Sequence, residues 1–406
     1  LKKNIKKIIQ EFFFNDMQTN HLFYFSILES IISDHLGSKQ KKISHLKKCA
    51  VINLDPWTQS YAHFYYLDSF IKGVLLGELD YDFVIFSKEP KSIVSNKYLF
   101  SLYQKSLNNI FKLPKVDKIV YLHPNLNAWR KKNKDFGLAH NLSFFIQAKW
   151  NKKNKKPIIQ ISNEEIKKAD LLMSNLIPKN HWLVTLHVRE AGYRFNDHLW
   201  LDTGRNSNIS TYLKTINYLS TKNGFVVRLG ERKKNKINFS NFFDYGSSKY
   251  KSDFFDIYFI YKSKFNIGTC SGPSYLPMIF GKDKNILTNI NIPFFIYSHG
   301  CIGVPKIFKL IKNNKFIKYP DFEKINPPLL FSGNNNLNNL GLRLIDNNEN
   351  DILEATKELV ENFDNKKWFT KLKKRATFVT SSSKNIFCQN KIPLSRAFIS
   401  KYNNLL

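Results

Sequence analysis

Cysteine is scarce in this chain. There are four cysteines among 406 residues, at positions Cys49, Cys270, Cys301 and Cys388. They lie far apart, with no C-x-x-C pair and no metal-like spacing with histidine. This excludes a disulfide-stapled or zinc-ribbon scaffold, and we expect reduced thiols in a cytosolic protein.

Acidic residues are also few. The chain has 63 Lys and Arg against 32 Asp and Glu, a formal net charge of +31, although its charged fraction is an ordinary 23%. The basicity therefore comes from missing acids, and such a surface attracts phosphates or anionic lipids. A basic nucleic-acid-binding protein is an alternative. However, lysine pairs such as Lys152-Lys153 are scattered through predicted loops rather than collected in a stripe.

Long apolar runs are absent. No stretch approaches the roughly 18 apolar residues of a membrane span, and the N-terminus has no signal-peptide pattern, so we expect a cytoplasmic protein. Residues 1–46 are predicted to form a basic, amphipathic N-terminal helical extension. It either docks peripherally on the inner face of an anionic membrane or packs on the first domain. Its apolar residues at helical spacing and its lysines include Ile5, Ile8, Ile9, Phe12, Lys2, Lys3, Lys6 and Lys7.

Short apolar runs alternate with helical patterns after residue 46, which predicts an α/β protein with two tandem Rossmann-like domains. The first domain is predicted over 47–178 and the second over 179–365, with a C-terminal tail over 366–406. Ser162 and Glu165 form a capping-box pattern for the helix that ends near the boundary at Pro178. The Asn-rich residues 334–350 are predicted to be a loop. The predicted strands are 50–54, 82–86, 118–122, 183–188, 225–229, 242–244, 265–268 and 285–288.

Two arginines lie at the carboxyl ends of adjacent predicted strands of the second domain. Arg189 stands in His187-Val188-Arg189-Glu190, and Arg228 precedes Leu229-Gly230. Ligands of open α/β sheets bind beyond the carboxyl ends of the strands, and a guanidinium there can hold a phosphate with two parallel hydrogen bonds. The alternative for Arg189 is a structural salt bridge with Glu190 or a neighbouring loop, and the alternative for Arg228 is a solvated surface charge.

A small-residue turn follows a third strand. Thr269, Ser271 and Gly272 lie between that strand and a predicted helix. Free N–H groups at a helix N-terminus favour phosphate, so this turn is a further candidate, although an ordinary capped helix has the same pattern.

The first domain offers a candidate general base. His63 follows the first predicted strand and could accept a proton near neutral pH, with Glu190 and Asp68 as rival bases and a packed or capping histidine as the structural alternative. Asp80 and Asp82 have the D-x-D form that can hold a divalent ion. Because Asp82 opens a predicted strand, we expect no metal there.

Together the motifs resemble a family of bacterial proteins regarded as glycosyltransferases, with the signature HVRE, GYR, an Arg-Asn pair, VVR-x-G, a DY pair, GT-x-SG and FG. This sequence has these motifs in the same order, at 187–190, 192–194, Arg205-Asn206, 226–230, Asp244-Tyr245, 268–272 and 280–281. The family is similar to the GT-B glycosyltransferases, which include O-fucosyltransferases and heptosyltransferases.

The resemblance implies a metal-independent transfer of a sugar from a nucleotide-sugar donor to an envelope or surface glycan. The partners would be the donor, a glycan or lipid-linked acceptor and an anionic membrane surface, with no nucleic acid. No cofactor is implied, because the nucleotide-sugar is a substrate. A nucleotide-sugar epimerase of the same fold is the alternative. His63 and Glu190 are the predicted catalytic residues. The predicted donor-binding residues are His187, Arg189, Tyr193, Arg194, Arg228, Gly230, Asp244, Tyr245, Thr269, Ser271 and Gly272.

Overall fold

The structure is a computed structural model. It describes residues 49–52, 58–78, 83–86, 94–110, 129–130, 136–137, 139–190, 204–230, 237, 239–290, 301–319, 321, 334–375 and 392–406. The predicted N-terminal extension, the strand at 118–122, Asp80, Asp82, Tyr193, Arg194 and Cys388 lie outside these residues.

Among its described residues, the first half contains short strands and four helices. Strands β1 (Cys49–Ile52) and β2 (Phe83–Phe86) pair in parallel, as the alternating pattern predicts. The short strands β3 (Trp129–Arg130) and β4 (Phe136–Gly137) pair antiparallel. The helices are α1 (Tyr61–Leu75), α2 (Lys97–Ile110), α3 (Ala139–Lys152) and α4 (Asn163–Met173). The capping box at the start of α4 is confirmed, because Ser162 and Glu165 exchange both hydrogen bonds.

A six-stranded parallel sheet forms the second half. Numbered in chain order from β5, its strands lie in the order 3-2-1-4-5-6, that of the doubly wound dinucleotide-binding fold. The α/β prediction is therefore confirmed as a Rossmann-like sheet. Its strands are β5 (Trp182–His187), β6 (Gly224–Arg228), β7 (Phe242–Phe243), β8 (Phe265–Gly268), β9 (Ile286–Ile290) and β10 (Ile302–Pro305).

Helices connect and cover these strands. They are α5 (Leu213–Thr221), preceded by a 3-10 turn (Ile209–Tyr212), α6 (Asp253–Lys262), and α7 (Leu276–Ile279), preceded by a 3-10 turn (Gly272–Tyr275). Every residue of β6, β8, β9 and β10 is buried, which accounts for the near-continuous apolar runs in the sequence.

The prediction of a loop at 334–350 is wrong. The segment contains helix α8 (Asn334–Asn339) and strand β12 (Leu342–Ile345), which pairs antiparallel with β11 (Ile307–Leu310). Leu342 and Leu344 are buried while Arg343 between them is exposed. This period-two alternation is the signature of a strand, and the asparagine-rich composition masked it.

The C-terminal residues pack on the sheet. They follow α9 (Glu349–Asn362) and comprise α10 (Lys366–Lys374) and α11 (Arg396–Tyr402). Leu394 forms a parallel bridge with Gly303 at the outer edge of β10. Glu358 of α9 pairs with Arg375 at 2.5 Å and accepts the backbone N–H of Arg396. These contacts cover an edge that would otherwise present unpaired backbone groups.

The two halves meet closely. Tyr61 Oη donates to Asp256 Oδ2 on α6 at 2.9 Å, and Asn96 Nδ2 donates to the carbonyl oxygen of Asp253. The buried apolar residues of both halves form one continuous cluster. The division into two domains at 178 therefore stays a prediction. Within the described part of the chain, no helix combines the length and apolar character needed to cross a bilayer.

A half-buried lysine after α7 makes stability depend on pH. Burial, reinforced by the charge of Lys262, lowers the pKa of Lys282 to about 8, and its ammonium group donates to the carbonyl oxygen of Ser263. Between pH 8 and the ordinary lysine value of 10.5, the unfolded chain therefore holds a proton at this position that the folded chain has lost. Stability rises with pH wherever the unfolded state binds more protons.

We expect the free energy of unfolding of the wild type, relative to a Lys282→Met variant, to increase through this window by at most about 1.4 kcal/mol per pH unit. Urea unfolding of both proteins at a series of pH values measures this difference. Parallel pH profiles for the two proteins would contradict it.

Candidate functional site

The chain reverses direction across the sheet between β5 and β8, which is the topological switch point of this fold. Arg189 comes directly after β5, and Thr269 directly after β8. The two segments are joined because the Arg189 backbone N–H donates to Thr269 Oγ1 at 3.0 Å, and the Thr269 N–H donates to the His187 carbonyl at 3.1 Å. The predicted residues Arg189 and Thr269 thus lie together at the position where doubly wound folds bind ligands.

The segment containing Arg205, Asn206 and Ser207 crosses this edge of the sheet. The Ser207 N–H donates to the carbonyl oxygen of Arg189, and Asn206 Oδ1 accepts from Arg189 Nε at 3.3 Å. Arg205 Nε donates to the carbonyl oxygen of Cys270 at 2.8 Å. The side chain of Arg189 is therefore held in one orientation by the crossing segment rather than left free to move.

A buried lysine also contacts the crossing segment. Lys306, which follows β10, donates to the carbonyl oxygen of Asn206 at 2.6 Å and pairs with Asp346 at 2.6 Å. Asn289, at the end of β9, donates to Ser207 Oγ at 2.8 Å. Side chains from strands β9 and β10 thus support the same crossing segment.

Arg228 lies between two carboxylates. Its guanidinium contacts Glu190 at 2.5 Å and Asp244 at 3.2 Å, and its side chain is 3% exposed. Burial raises the pKa of Asp244, the charge of Arg228 opposes that rise, and the charge of Glu190 adds to it. The alternative of a solvated surface charge is therefore wrong for Arg228, because its guanidinium is buried and its two terminal nitrogens both contact carboxylates.

Gly230 fits closely over His187. It has a φ of +118°, and a Cβ at this position would lie 3.8 Å from the His187 imidazole. The backbone conformation favours glycine here, while a Cβ would meet the ring only at ordinary van der Waals distance. His187 and Gly230 therefore form the junction between the carboxyl ends of β5 and β6.

The turn after β8 is tighter than the sequence predicts. A Cβ on Gly268 would collide with Ser274 Oγ, which donates to the carbonyl oxygen of Thr269. Only a 3-10 turn and the four-residue helix α7 follow. The dipole of a helix is the sum of many aligned peptide groups, and these two short elements contain few. We therefore expect Ser271 and Gly272 to bind phosphate more weakly than the start of a long helix would.

The absence of a side chain at Gly272 allows the start of helix α1 to pack closely against this turn. A Cβ on Gly272 would lie 3.1 Å from Tyr61 Cβ and 3.2 Å from the backbone nitrogen of Ala62. The start of α1 therefore abuts the turn after β8. His63 lies in the first turn of α1, where its backbone N–H donates to the capping hydroxyl of Ser60.

Tyr66 links His63 to the crossing segment. The His63 and Tyr66 rings have centroids 6.2 Å apart. Burial raises the pKa of Tyr66, and the charge of Arg205 opposes that rise, which places Arg205 within electrostatic reach. The candidate base of the first half and the cationic edge of the second are thus neighbours.

Two predicted residues lie away from this edge. Asp68 is fully buried, where it pairs with Lys72 at 2.6 Å and accepts hydrogen bonds from Tyr103 and Gln147. Burial lowers the pKa of Lys72, although the Asp68 carboxylate opposes the effect. This network binds α1 to α2 and α3, so Asp68 has no open face for an acceptor.

Tyr245 is likewise a core residue. It is fully buried, its hydroxyl donates to the carbonyl oxygen of Ser252, and its ring lies 4.9 Å from that of Phe259. The contact of Tyr245 with a nucleoside stays a prediction, which the absence of accessible surface on its side chain does not favour. Asp244 stays a candidate through its partly exposed carboxylate.

Sequence reasoning did not assign Asn206, Lys306 or Asn289 to the site. Asn206 appeared only within a motif, and Lys306 resembled the many other lysines. Asn289 has a φ of +50°, a left-handed conformation in which asparagine is enriched, but no sequence pattern reveals a single such residue.

Comparison of the sequence with protein-family models and with curated proteins finds no match to either. Among the described residues, no group of three or more His, Cys, Asp or Glu side chains has a metal-binding arrangement. Cys270 and Cys301 are buried free thiols.

Proposed function

We propose that this protein is a glycosyltransferase of the GT-B type that uses a nucleotide-sugar donor. One observation carries the proposal: Arg189 extends from the first strand of a 3-2-1-4-5-6 sheet at its switch point, held there by Thr269 and Asn206. Nucleotides are the ligands that folds of this order bind at this position. The HVRE, VVR-x-G and GT-x-SG motifs, which resemble those of glycosyltransferases, lie at three neighbouring strand ends.

In this proposal Arg189 binds the diphosphate of the donor. A guanidinium matches two phosphate oxygens with parallel hydrogen bonds, and its charge compensates the charge that grows on the diphosphate as the bond to the sugar breaks. Arg205 adds positive potential from the crossing segment, while the charge of Lys306 is offset by its ion pair with Asp346. This arrangement stabilises the leaving group without a metal ion.

The acceptor approaches from the side of α1. The His63 imidazole takes the proton of an acceptor hydroxyl while that oxygen forms its bond to the anomeric carbon of the sugar. The packing of Tyr61 against Gly272 supports this role, because it sets the first turn of α1 beside the edge that carries Arg189.

Arg228 and Glu190 have supporting roles in the proposal. The Arg228 guanidinium was expected to hold phosphate, and the Glu190 carboxylate was a rival base to His63. In the structure these two groups form an ion pair with each other. We propose that Arg228 holds together the loops after β5 and β7, because it contacts Glu190 in the first loop and Asp244 in the second.

A thermal-shift screen against UDP, GDP, CMP and dTDP sugars tests the proposal. A ligand at 100 times its dissociation constant adds about 2.7 kcal/mol of stability, which gives a clear rise in melting temperature. We expect one nucleotide class to raise it, and the corresponding sugar to be transferred in excess EDTA to a glycan or lipid-linked acceptor.

Other results of these two measurements would point to a different function or contradict the proposal. Binding followed by interconversion of the sugar without an acceptor would identify an epimerase instead. No stabilisation by any of the four classes would contradict the proposal, as would a strict requirement for a divalent ion in the transfer step.

A further inference from the structure

An exposed β surface begins directly after β10. Strand β11 pairs with β12 on one side, with Lys309 opposite Arg343. On its other side the chain turns back, so that Lys309 forms a bridge with Phe316 and the Leu310 N–H donates to the carbonyl oxygen of Lys315. We call residues 307–318, together with Leu340 and Arg343, the basic platform.

The two faces of this platform differ sharply. Residues directly opposite in a β ladder point to the same side, so Lys309, Arg343 and Phe316 share one face. The Lys309 ammonium lies 5.0 Å from the centroid of the Phe316 ring. The other face is core, since Phe308 and Leu344 are buried. The platform is therefore fixed to the protein through one face and presents the other to the surroundings.

Large apolar side chains are exposed on it. Ile311 is 39% exposed, Phe316 is 42% exposed and Leu340 is 49% exposed, whereas Leu310 lies opposite the buried Leu342 and belongs to the other face. They are neighbours, because the Ile311 N–H donates to the carbonyl oxygen of Gly341, the residue after Leu340. A cluster of exposed apolar groups on a charged protein marks a contact surface.

Positive charge surrounds these apolar groups. Lysine recurs at every third position, as Lys309, Lys312, Lys315 and Lys318, and residues 307–319 contain no acid. At the border, Asp346 and Asp351 pair with Lys306 and Lys401, which leaves Asp321 as the nearest further acid in the described sequence. The charge that faces outward is therefore strongly positive.

We propose that the basic platform docks on an anionic phospholipid membrane. Lysines around an apolar centre match the two layers of such a surface, since the ammonium groups meet lipid phosphates while leucine, isoleucine and phenylalanine enter the acyl boundary. A nucleic acid offers stacking surfaces for aromatic rings but no apolar phase for the aliphatic side chains of Ile311 and Leu340. A second copy of this chain would be repelled by its own charge.

A second exposed apolar patch among the described residues, on α4, lacks this complementarity. Leu171 and Leu172 at the end of α4 are 76% and 57% exposed. However, the same helix carries the acids Glu164 and Asp170. The α4 patch is therefore the natural control.

Docking through the platform would bring the candidate site towards the membrane. The platform starts at Ile307, one residue after Lys306, which contacts Asn206 of the crossing segment. A lipid-linked acceptor would then be within reach of the edge that carries Arg189. The docking itself does not depend on the proposed function, and its test requires no activity.

Flotation of the full chain with phosphatidylcholine vesicles, with and without phosphatidylglycerol, tests the proposal. We expect binding only to the anionic vesicles, weakened by added salt. The double variant Lys312→Glu, Lys315→Glu should bind at least about 25-fold more weakly, taking about fivefold for each basic residue removed near the surface. The variant Ile311→Ser, Phe316→Ser should also lose binding while its melting temperature, measured in parallel, stays that of a folded protein.

The matched control is Lys167→Glu, Lys179→Glu, which changes the net charge equally near the α4 patch. It should bind within about threefold of the wild type, because longer-range charge effects are screened by salt. Three outcomes would overturn the proposal: no binding of the wild type to anionic vesicles, platform variants that bind as the wild type does, or a control that loses binding to the same extent.

Discussion

Replacing Arg228 by methionine is expected to lower the free energy of unfolding by about 3–5 kcal/mol. Removing one partner of a buried ion pair leaves an uncompensated charge, and costs of this size follow. Here two carboxylates, Glu190 and Asp244, lose their shared counter-charge at once. Urea unfolding at neutral pH measures the change.

A surface lysine supplies the matched control. Lys214 pairs with Glu349 at 3.3 Å, but their side chains are 51% and 38% exposed. Lys214→Met should therefore cost less than about 1 kcal/mol. Equal effects of the two substitutions would show that Arg228 is not the organising charge of these loops.

A triple variant separates the charge effect from packing. Adding Glu190→Gln and Asp244→Asn to Arg228→Met removes the two uncompensated carboxylates while keeping their shapes. We expect it to recover a substantial part of the lost stability, because polar amides cost less to bury than unpaired charges. A further loss would mean that the guanidinium acts mainly through its packing.

The strands of the sheet could be predicted from the sequence because each buried strand appears as a short run of apolar residues. The predicted 265–268 coincides with β8, and 183–188 and 225–229 are each shifted by one residue from β5 and β6. Fully buried strands leave apolar runs that need no partner to be recognised. The order of the strands could not be read in this way, because pairing β5 with both β6 and β8 is a long-range property of the chain.

The position of a site residue could be predicted where a motif lies at the end of a strand. Its role could not be predicted where that role depends on a contact with a residue distant in sequence. Arg189 and Arg228 have the same sequence context, a basic residue after an apolar strand. Only the positions of Glu190 and Asp244 show that Arg228 is a structural ion pair. The burial of Tyr245 could not be predicted for a similar reason, because a tyrosine in a motif gives no sign of whether its ring lies in the core or at the surface.

The second large effect is expected at Arg189, and it rests on the proposed function. Arg189→Gln should weaken binding of the stabilising nucleotide by about 100-fold, because it removes the charge and the paired donors that a phosphate requires. Arg189→Lys should recover only part of the loss, since an ammonium keeps the charge without the planar fork. Isothermal titration with the nucleoside diphosphate measures both.

Stability distinguishes this result from unfolding. The Arg189 backbone N–H that donates to Thr269 is retained in every variant, so the melting temperature without ligand should change much less than in Arg228→Met. Arg343→Gln, an exposed arginine on β12, is the control and should bind nucleotide as the wild type does. Nucleotide affinity that survives in Arg189→Gln would remove Arg189 from the site and, with it, the observation on which the proposed function depends.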